Sequence, residues 1–319
     1  AAPVLPPEPR SRAEARHRGA VDAFLSRFWG SCSGFGIEEA EETEIALAGG
    51  ATSASPTPGR LAEAAQTSAA LGPAPAPPSP PGSKPSTYGE VTAVGVRQIA
   101  RALGLDSWGV EGSERGSNGT GLVFMDLGSG VGKFVVQAYL EFPAVVRAVG
   151  VELSASRVAR GQAAWKDALS SGDVHDLRSA ALLLATAAGA PDDDAAADAA
   201  AEMSEEWDEV PRSEDSMSAD DEAAVALLQG DLFAMDVSEA THIYIASLCF
   251  GDDMLRRVVA KLASEAHRLQ GLASLRKLPE APLLAIGLEA VGSVEAQMSW
   301  TVGRGGGAPT YLYLRRGGR

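Results

Sequence analysis

The residue types best suited to chemistry are concentrated in one short stretch, MDLGSGVGKF at positions 125–134. Three glycines, Gly128, Gly130 and Gly132, alternate with other residues there, and Asp126 stands directly before this turn. The dinucleotide fingerprint, Gly-x-Gly-x-x-Gly, spaces its third glycine one residue further on and brings a pyrophosphate to a helix N-terminus. An acid beside the turn would repel a diphosphate, whereas it would attract an ammonium or sulfonium group. The pattern therefore favours a cationic ligand.

Two further carboxylates extend this pattern. Glu152 lies about 20 residues past the turn, where the fingerprint places the acid that accepts hydrogen bonds from ribose hydroxyls. Asp231 follows a later apolar run, where a carboxylate can accept a hydrogen bond from the amino group of an adenine. The position of Glu152 suits NAD and S-adenosylmethionine equally, but three acids around one glycine turn favour the methyl donor. We therefore expect S-adenosylmethionine as the cofactor. The four histidines are scattered without metal-ligand spacing, so no metal is expected.

The elements that position these residues follow from the hydrophobic pattern. Residues 121–128 predict a buried strand, 133–142 a helix that Pro143 stops, and 147–153 a second strand. Strand, turn, helix and strand make a βαβ unit, which implies a parallel sheet. Later segments continue this alternation, with helices predicted at 156–169 and 252–268 and strands at 241–250, 272–278, 293–301 and 309–316. The last two strands flank a glycine loop, so we expect an α/β fold whose last two strands are antiparallel to each other.

Composition divides the chain into parts. A short amphipathic helix is predicted within an N-terminal helical segment, residues 1–49. Residues 50–86 are rich in Pro, Ala and Ser and cannot bury enough side chain to offset the entropy of ordering, so a disordered linker is expected. The folded domain is expected over 87–316, interrupted at about 179–226 by an Ala-rich and acidic insertion that we expect to be disordered.

Charge and cysteine content restrict the partners. The formal net charge is -15, with much of the acid in residues 191–222, so direct binding to nucleic acid is expected to be weak at most. The two cysteines, Cys32 and Cys249, are too few for a disulfide framework and fit a reducing intracellular compartment, nuclear or cytoplasmic. No apolar run approaches the roughly 20 residues that span a bilayer, so no membrane attachment is expected. We expect a monomer.

Several stretches match the motifs of one family: DLGSGVGKFVVQ (126–137), GVEL (150–153), TYGEVT (87–92), SWT (299–301) and TYLYL (310–314). Together they resemble the disruptor-of-telomeric-silencing (Dot) family of histone-lysine methyltransferases. The resemblance covers roughly Thr87 to Leu314 without the acidic insertion. It implies a Rossmann-like seven-stranded methyltransferase sheet with an antiparallel last strand, rather than a SET domain.

The resemblance also implies roles for four residues outside the glycine turn. Tyr88 and Glu90 would close over the methionine end of the cofactor, which makes Glu90 a cofactor-binding residue. Trp300 and Tyr311 would help to line a channel for a lysine side chain. The protein substrate that the family implies is a histone in a nucleosome.

One loop departs from the family pattern. ASLCFG at 246–251 matches the position where the family has Asn-Asn-Phe-Ala-Phe-Gly, and Ala246 and Ser247 replace both asparagines. An amide close to the reacting centre is therefore missing. Val91 also stands where the family loop has a threonine.

The chemistry itself makes few demands on the protein. Methyl transfer from a sulfonium is an in-line displacement, so the site mainly has to align the nucleophile with the methyl carbon. A lysine, with a reference pKa near 10.4, must lose its proton first, and a narrow apolar channel assists by disfavouring the ammonium form. Trp300, Phe250 and Tyr311 are the predicted walls of that channel. Ser247 and Tyr88 are the predicted polar contacts to the amine.

Three functions remain open at this point. The first is methyl transfer to a protein lysine, with a histone as the target. The second is methyl transfer by the same fold to a small molecule or a non-histone protein, which the missing asparagines and the low basic charge favour. The third is an inactive cofactor-binding module that recruits partners through its acidic segment.

Overall fold

The structure is a computed structural model that describes residues 7–32, 89–106, 121–187, 219–303 and 306–315. The predicted linker at 50–86, Tyr88 and residues 188–218 of the predicted insertion lie outside these ranges. Within them, every helix is too short or too polar to cross a bilayer.

The strands of the described residues form one mixed sheet. They are β1 (Leu122–Leu127), β2 (Val145–Glu152), β3 (Val225–Gln229), β4 (His242–Ile245), β5 (Gly271–Ser274), β6 (Leu288–Ala296) and β7 (Ala308–Arg315). Their order across the sheet is β3-β2-β1-β4-β5-β7-β6. Strands β1 to β5 run parallel, while β7 is antiparallel to both of its neighbours. The expected α/β fold, with a Rossmann-like seven-stranded sheet and an antiparallel last strand, is confirmed.

The helices of the described residues cover both faces of this sheet. They are α1 (Arg12–Trp29), α2 (Ala93–Leu103), α3 (Lys133–Glu141), α4 (Ala155–Ser170), α5 (Asp173–Ala187), α6 (Ala219–Ala224), α7 (Asp252–Glu265) and α8 (Glu280–Ala285). The sequence sets where α1, α2 and α4 begin, because a Ser or Thr hydroxyl accepts a hydrogen bond from the first turn: Ser11, Thr92 and Ser154.

The core lies in two layers, one on each face of the sheet. Helices α1 to α5 contribute to the first layer, whereas α7 and α8 contribute to the second. Successive residues of a strand point to opposite faces. Phe124 and Tyr244 therefore belong to the first layer, and Met125 and Ile243 to the second. A sheet that is buried on both faces explains why β1 and β4 are continuously apolar apart from one or two polar residues.

Helix α1 belongs to the first layer and is not a separate N-terminal segment. Its Val21 and Trp29 are fully buried. Arg97 of α2 joins it to α3, because the guanidinium lies 2.8 Å from Asp22 of α1 and 2.7 Å from Glu141 of α3. Burial raises the pKa of Glu141, while the bonds from Arg97 oppose that shift. Helix α1, which lies within the predicted helical segment at 1–49, therefore shares its core with the domain predicted over 87–316.

Both ends of the predicted insertion are ordered, which corrects the boundaries of about 179 and 226. Helix α5 extends to Ala187, and α6 begins at Ala219. The Ala-rich run looked mobile in sequence, but Ala181 and Leu184 are buried. Arg178 fixes α5 by donating hydrogen bonds to the main-chain carbonyls of Tyr139, Phe142, Pro143 and Val145.

Candidate functional site

The glycine turn joins β1 to α3, as the sequence predicted. Gly128, Gly130 and Gly132 have φ angles of 95°, 56° and 82°, a region that residues with a side chain rarely adopt. The amides of Gly128 and Ser129 both donate to the carbonyl of Val151 in β2, at 2.8 and 3.1 Å. The alternating glycines are therefore required by the path of the backbone, which brings the turn against the carboxyl end of β2.

Glu152, the last residue of β2, holds the turn from the side. Its Oε2 accepts a hydrogen bond from the amide of Gly130 at 2.9 Å, and its Oε1 accepts one from the amide of Ser154 at 3.0 Å. Arg157 lies 3.8 Å from the same Oε1. A carboxylate has about four acceptor positions, so this side chain can also accept hydrogen bonds from ribose hydroxyls. Glu152, the acid predicted to bind the ribose, therefore lies beside the turn, and these hydrogen bonds orient its carboxylate.

Asp126 is buried with only 3% of its surface exposed, and its Oδ1 has no hydrogen-bond partner among the described residues. Burial raises the pKa of this carboxyl well above its ordinary value, and the charge of Glu152 raises it further. An unpaired buried acid is costly. A cationic ligand beside the turn would remove that cost, so the residues present fit S-adenosylmethionine.

Tyr244 is a second unpaired polar group next to Asp126, and sequence reasoning missed it. The two residues are partners in register between β1 and β4, so their side chains point to the same face of the sheet. Tyr244 is 2% exposed, and its hydroxyl has no partner among the described residues. Burial raises the pKa of this hydroxyl, and the charge of Asp126 raises it further. An aromatic residue in an apolar strand resembles ordinary core, so the sequence offered no signal for it.

Asp231 lies at the same edge of the sheet, just after β3. The preceding residue, Gly230, donates its amide to the main-chain carbonyl of Glu152 at 2.9 Å. The Oδ1 of Asp231 accepts a hydrogen bond from the amide of Phe233 at 2.9 Å. One oxygen of this exposed side chain therefore caps a local turn. This structural role is additional to the predicted adenine contact, which stays a prediction.

The two motifs that carry the family resemblance outside the turn lie side by side. Val91 forms an antiparallel bridge with Met298. The amide of Ser299 donates to the carbonyl of Glu90 at 2.8 Å, and the amide of Glu90 donates back to the hydroxyl of Ser299 at 3.2 Å. These contacts join the segment before α2 to the loop between β6 and β7, although some 200 residues separate them in the chain.

Gly89 and Trp300 extend this pairing by one residue at each end. A Cβ atom on Gly89 would lie 2.1 Å from Cζ3 of the Trp300 ring, so only glycine allows the indole to lie there. The indole is half-buried against the first core layer. Sequence reasoning singled out the neighbours of Gly89 but missed Gly89 itself.

Glu90 connects the paired motifs to the glycine turn. Its Oε2 lies 2.6 Å from the Nζ of Lys133, the first residue of α3. The carboxylate that was expected to close over the methionine end is thus fixed beside the turn by an ion pair. Tyr88, the residue expected to act with it, lies outside the described residues.

Ser247 occupies a different position from the one expected. It is fully buried, and its hydroxyl lies 2.7 Å from the hydroxyl of Ser274, the last residue of β5. It also accepts a hydrogen bond from the amide of Arg276 at 2.9 Å. The side chain therefore links the carboxyl ends of β4 and β5 by hydrogen bonds. This corrects the expectation that Ser247 contacts a substrate amine.

The three predicted channel walls come from both faces of the sheet. Phe250 and Tyr311 are half-buried against the second core layer, while Trp300 packs against the first. Tyr311 is in register with Ser274 at the end of β5, which places it at the same carboxyl edge as the glycine turn. The structure therefore divides the three aromatic residues between the two faces of the sheet, and their role as channel walls stays a prediction.

His242 is a core residue. It is buried in β4, its Nδ1 lies 3.1 Å from the hydroxyl of Thr241, and burial lowers its pKa to about 4. The imidazole is therefore neutral near pH 7. Among the described residues, no group of three or more His, Cys, Asp or Glu side chains could hold a metal ion.

Comparison with known proteins gives one family match. The model of the family described as histone methylation protein DOT1 matches residues 86–170, which include the segment at 89–92, the glycine turn and Glu152. The match confirms the resemblance that the sequence motifs indicate. No curated protein matches the sequence.

Solved structures show a weaker likeness. An RNA methyltransferase from Salinibacter ruber in complex with S-adenosyl-L-homocysteine is 17% identical, with 69% of this chain and 90% of that chain covered and a TM-score of 0.35. The rRNA methyltransferase aviRa from Streptomyces viridochromogenes is 14% identical, with 70% and 84% covered and a TM-score of 0.38.

Proposed function

We infer that this chain is an S-adenosylmethionine-dependent methyltransferase, and we propose that its acceptor is a lysine side chain of a protein, with a nucleosomal histone as the target. The match over residues 86–170 to the family described as histone methylation protein DOT1 supports the proposal. The sheet order and the glycine turn support the cofactor. With a nucleosomal target, the chain would act in the nucleus.

One observation carries the choice of acceptor. The paired segments at Gly89 to Thr92 and Gln297 to Trp300 lie beside the glycine turn, because Glu90 bonds to Ser299 in one direction and to Lys133 in the other. The glycine turn alone is common to many methyltransferases. The combination of these two segments is the specific part of the family resemblance, and the structure assembles it at the cofactor edge.

The residues of the site divide the work of the reaction. S-adenosylmethionine, when bound, supplies an electrophilic methyl group on a sulfonium centre. The glycine turn and Glu152 would hold the nucleoside part, and the carboxylate of Asp126 would offset the positive charge of the ligand. Orientation is the main contribution of the protein to such a displacement, because the reacting atoms have to lie in line and close to contact.

The acceptor amine has to arrive without its proton. Phe250 and Tyr311 on one side and Trp300 on the other present apolar surface at this edge. Such surroundings lower the pKa of an amine because they disfavour its charged form. We propose that these three side chains exclude water from the amine and so favour the neutral nucleophile.

A second candidate function has a specific observation in its favour. Ala246 carries no polar side-chain group, and the hydroxyl of Ser247 is already bonded to Ser274 and to the amide of Arg276. The loop after β4 therefore lacks the asparagine side-chain amide that the Dot family has at this position. A methyl acceptor with different polar groups, such as a small molecule or a non-histone protein, would suit this loop.

Transfer of a radiolabelled methyl group would test the proposal. The purified chain is incubated with labelled S-adenosylmethionine and either nucleosomes, free core histones or a metabolite extract. Asp126→Asn serves as the matched control in each arm. We expect label on a histone lysine in the nucleosome arm, lost with Asp126→Asn. Label confined to the extract would contradict the lysine acceptor and support the second candidate. Cofactor binding without label in any arm would indicate an inactive module.

A further inference from the structure

We infer that Trp29, the last residue of α1, is a positioning residue for the cofactor turn, so that the N-terminal helix forms part of the cofactor site. Trp29 is fully buried, and its indole Nε1 donates a hydrogen bond to the main-chain carbonyl of Val131 at 2.9 Å. Val131 lies inside the turn, between Gly130 and Gly132. The inference rests on the proposed function, because it concerns how that same turn holds the methyl donor.

The peptide unit between Val131 and Gly132 is fixed at both of its polar atoms. Its carbonyl accepts the hydrogen bond from the indole, and its N–H donates to the carbonyl of Ser129 at 2.9 Å. Gly132 is the residue from which α3 begins, so this peptide sets the direction in which the chain enters the helix. The carbonyl of Ser129 belongs to the same peptide unit as the amide of Gly130, which donates to Glu152, so rotation of the Val131–Gly132 peptide would disturb that contact as well.

Helix α4 confines the Val131 carbonyl from another side. A Cβ atom on Gly161 would lie 2.5 Å from this oxygen, so the absence of a side chain on Gly161 is what allows α4 to pack there. Val131 itself is 1% exposed. A buried carbonyl requires a donor, and the indole of Trp29 supplies it.

The rest of α1 holds the indole in place. Near its start, the Nε2 of His17 lies 3.2 Å from the carbonyl of Leu140, and the Nε of Arg18 lies 3.7 Å from the carboxylate of Glu141. Both partners are in the last turn of α3, whereas Trp29 reaches the turn that precedes α3. Helix α1 therefore runs along α3 and is attached at both of its ends. The family match begins at residue 86, after α1 has ended.

Substitution of the indole donor tests this inference. Trp29→Phe keeps an aromatic ring and removes the hydrogen bond, while Val21→Ala removes fully buried packing from the same helix without altering that bond. The probe is S-adenosylhomocysteine, titrated calorimetrically into the full chain. We expect Trp29→Phe to raise the Kd about tenfold and Val21→Ala to change it less than about twofold, although both lower the Tm.

Gly161→Ala provides a second test that leaves α1 intact. The added methyl group meets the Val131 carbonyl from α4, so we expect a similar rise in Kd for S-adenosylhomocysteine. A Kd unchanged in Trp29→Phe, or in Gly161→Ala where Trp29→Phe does not fold, would overturn the positioning role. Failure of the unsubstituted chain to bind S-adenosylhomocysteine would instead overturn the proposed function. If the unsubstituted chain and both variants bind S-adenosylhomocysteine equally tightly, the positioning role of Trp29 is overturned and the proposed function is unaffected.

Discussion

The carboxylate of Glu90 and the ammonium group of Lys133 lie 2.6 Å apart, and this contact joins two motifs that are distant in the chain. Glu90 belongs to the segment that pairs with the loop between β6 and β7, and Lys133 is the first residue of the helix that follows the glycine turn. The side chains are 18% and 29% exposed, so solvent screens the pair only in part. The ion pair therefore couples the cofactor turn to the segments that are expected to receive the acceptor.

Removing either charge should uncouple these segments. We expect Glu90→Gln and Lys133→Gln each to lower the stability, and a double-mutant cycle to give a coupling free energy of about 1 kcal/mol. Denaturant unfolding of the four proteins measures this coupling, and the ion pair predicts that it shrinks at high salt. Additive losses in the cycle would show that the contact contributes nothing to stability.

The close contact between Gly89 and Trp300 predicts a strong effect from a small substitution. We expect Gly89→Ala to lower the stability by roughly 1 to 3 kcal/mol, because the new methyl group overlaps the indole ring. Gly251→Ala is the matched control, since a Cβ on Gly251 would meet no atom within 4 Å. Combining Gly89→Ala with Trp300→Ala should cost less than the sum of the single changes. Equal losses in Gly89→Ala and Gly251→Ala would contradict the contact.

The raised pKa of Asp126 predicts that cofactor affinity depends on pH. Below its folded-state pKa the buried carboxyl is protonated and cannot attract a cation, so affinity for S-adenosylmethionine should increase as the pH rises through that value. Binding should also release a proton, which calorimetry in buffers of different ionisation enthalpy detects. Asp126→Asn should remove both effects. Retention of the pH dependence in Asp126→Asn would assign it to another group.

Two buried histidines predict a loss of stability in mild acid. Burial lowers the pKa of His17 and His242 to about 4, against an ordinary value of 6.5. The unfolded chain therefore binds protons between these values while the folded chain does not, so stability falls as the pH drops from 6.5 towards 4. The expected loss between pH 7 and pH 5 is about 2 kcal/mol per histidine.

Unfolding free energies measured across this range test the histidine prediction, with His17→Gln as the comparison. The raised pKa of Asp126 acts in the opposite direction, because an acid with a raised folded-state pKa stabilises the fold at low pH and loses that contribution as the pH rises. The histidine dependence should therefore be clearest in the Asp126→Asn background, where this opposing contribution is absent. A stability that is equal at pH 7 and pH 5 in that background would contradict the buried, neutral imidazoles.

The sequence predicted the fold and the cofactor turn well, because both depend on local patterns. Alternating glycines after an apolar strand determine a backbone path that few other residues permit, and Asp126 and Glu152 occupy fixed positions relative to it. The bounds predicted for the first two strands and the helix between them agree with the structure within a few residues for the same reason. The sequence therefore located the glycine turn and the two acids beside it, while the roles of these residues stay predictions.

The remaining parts depend on contacts between distant segments. Ser247 lies next to a predicted substrate loop, but its hydroxyl turns towards Ser274 of the neighbouring strand. Tyr244 and Trp29 look like ordinary core residues until the sheet and α1 place them beside Asp126 and Val131. Helix α5 looked like part of a mobile insertion, because an Ala-rich run shows its buried face only when it is packed.

Calorimetric titration of the purified chain tests the central claim most directly. S-adenosylmethionine, S-adenosylhomocysteine and NAD are compared on one preparation, since all three carry an adenosine and only NAD carries a diphosphate. We expect both sulfur compounds to bind and NAD to give no heat, because Asp126 and the glycine turn favour positive charge over phosphate. Binding of NAD without binding of either sulfur compound would contradict the account.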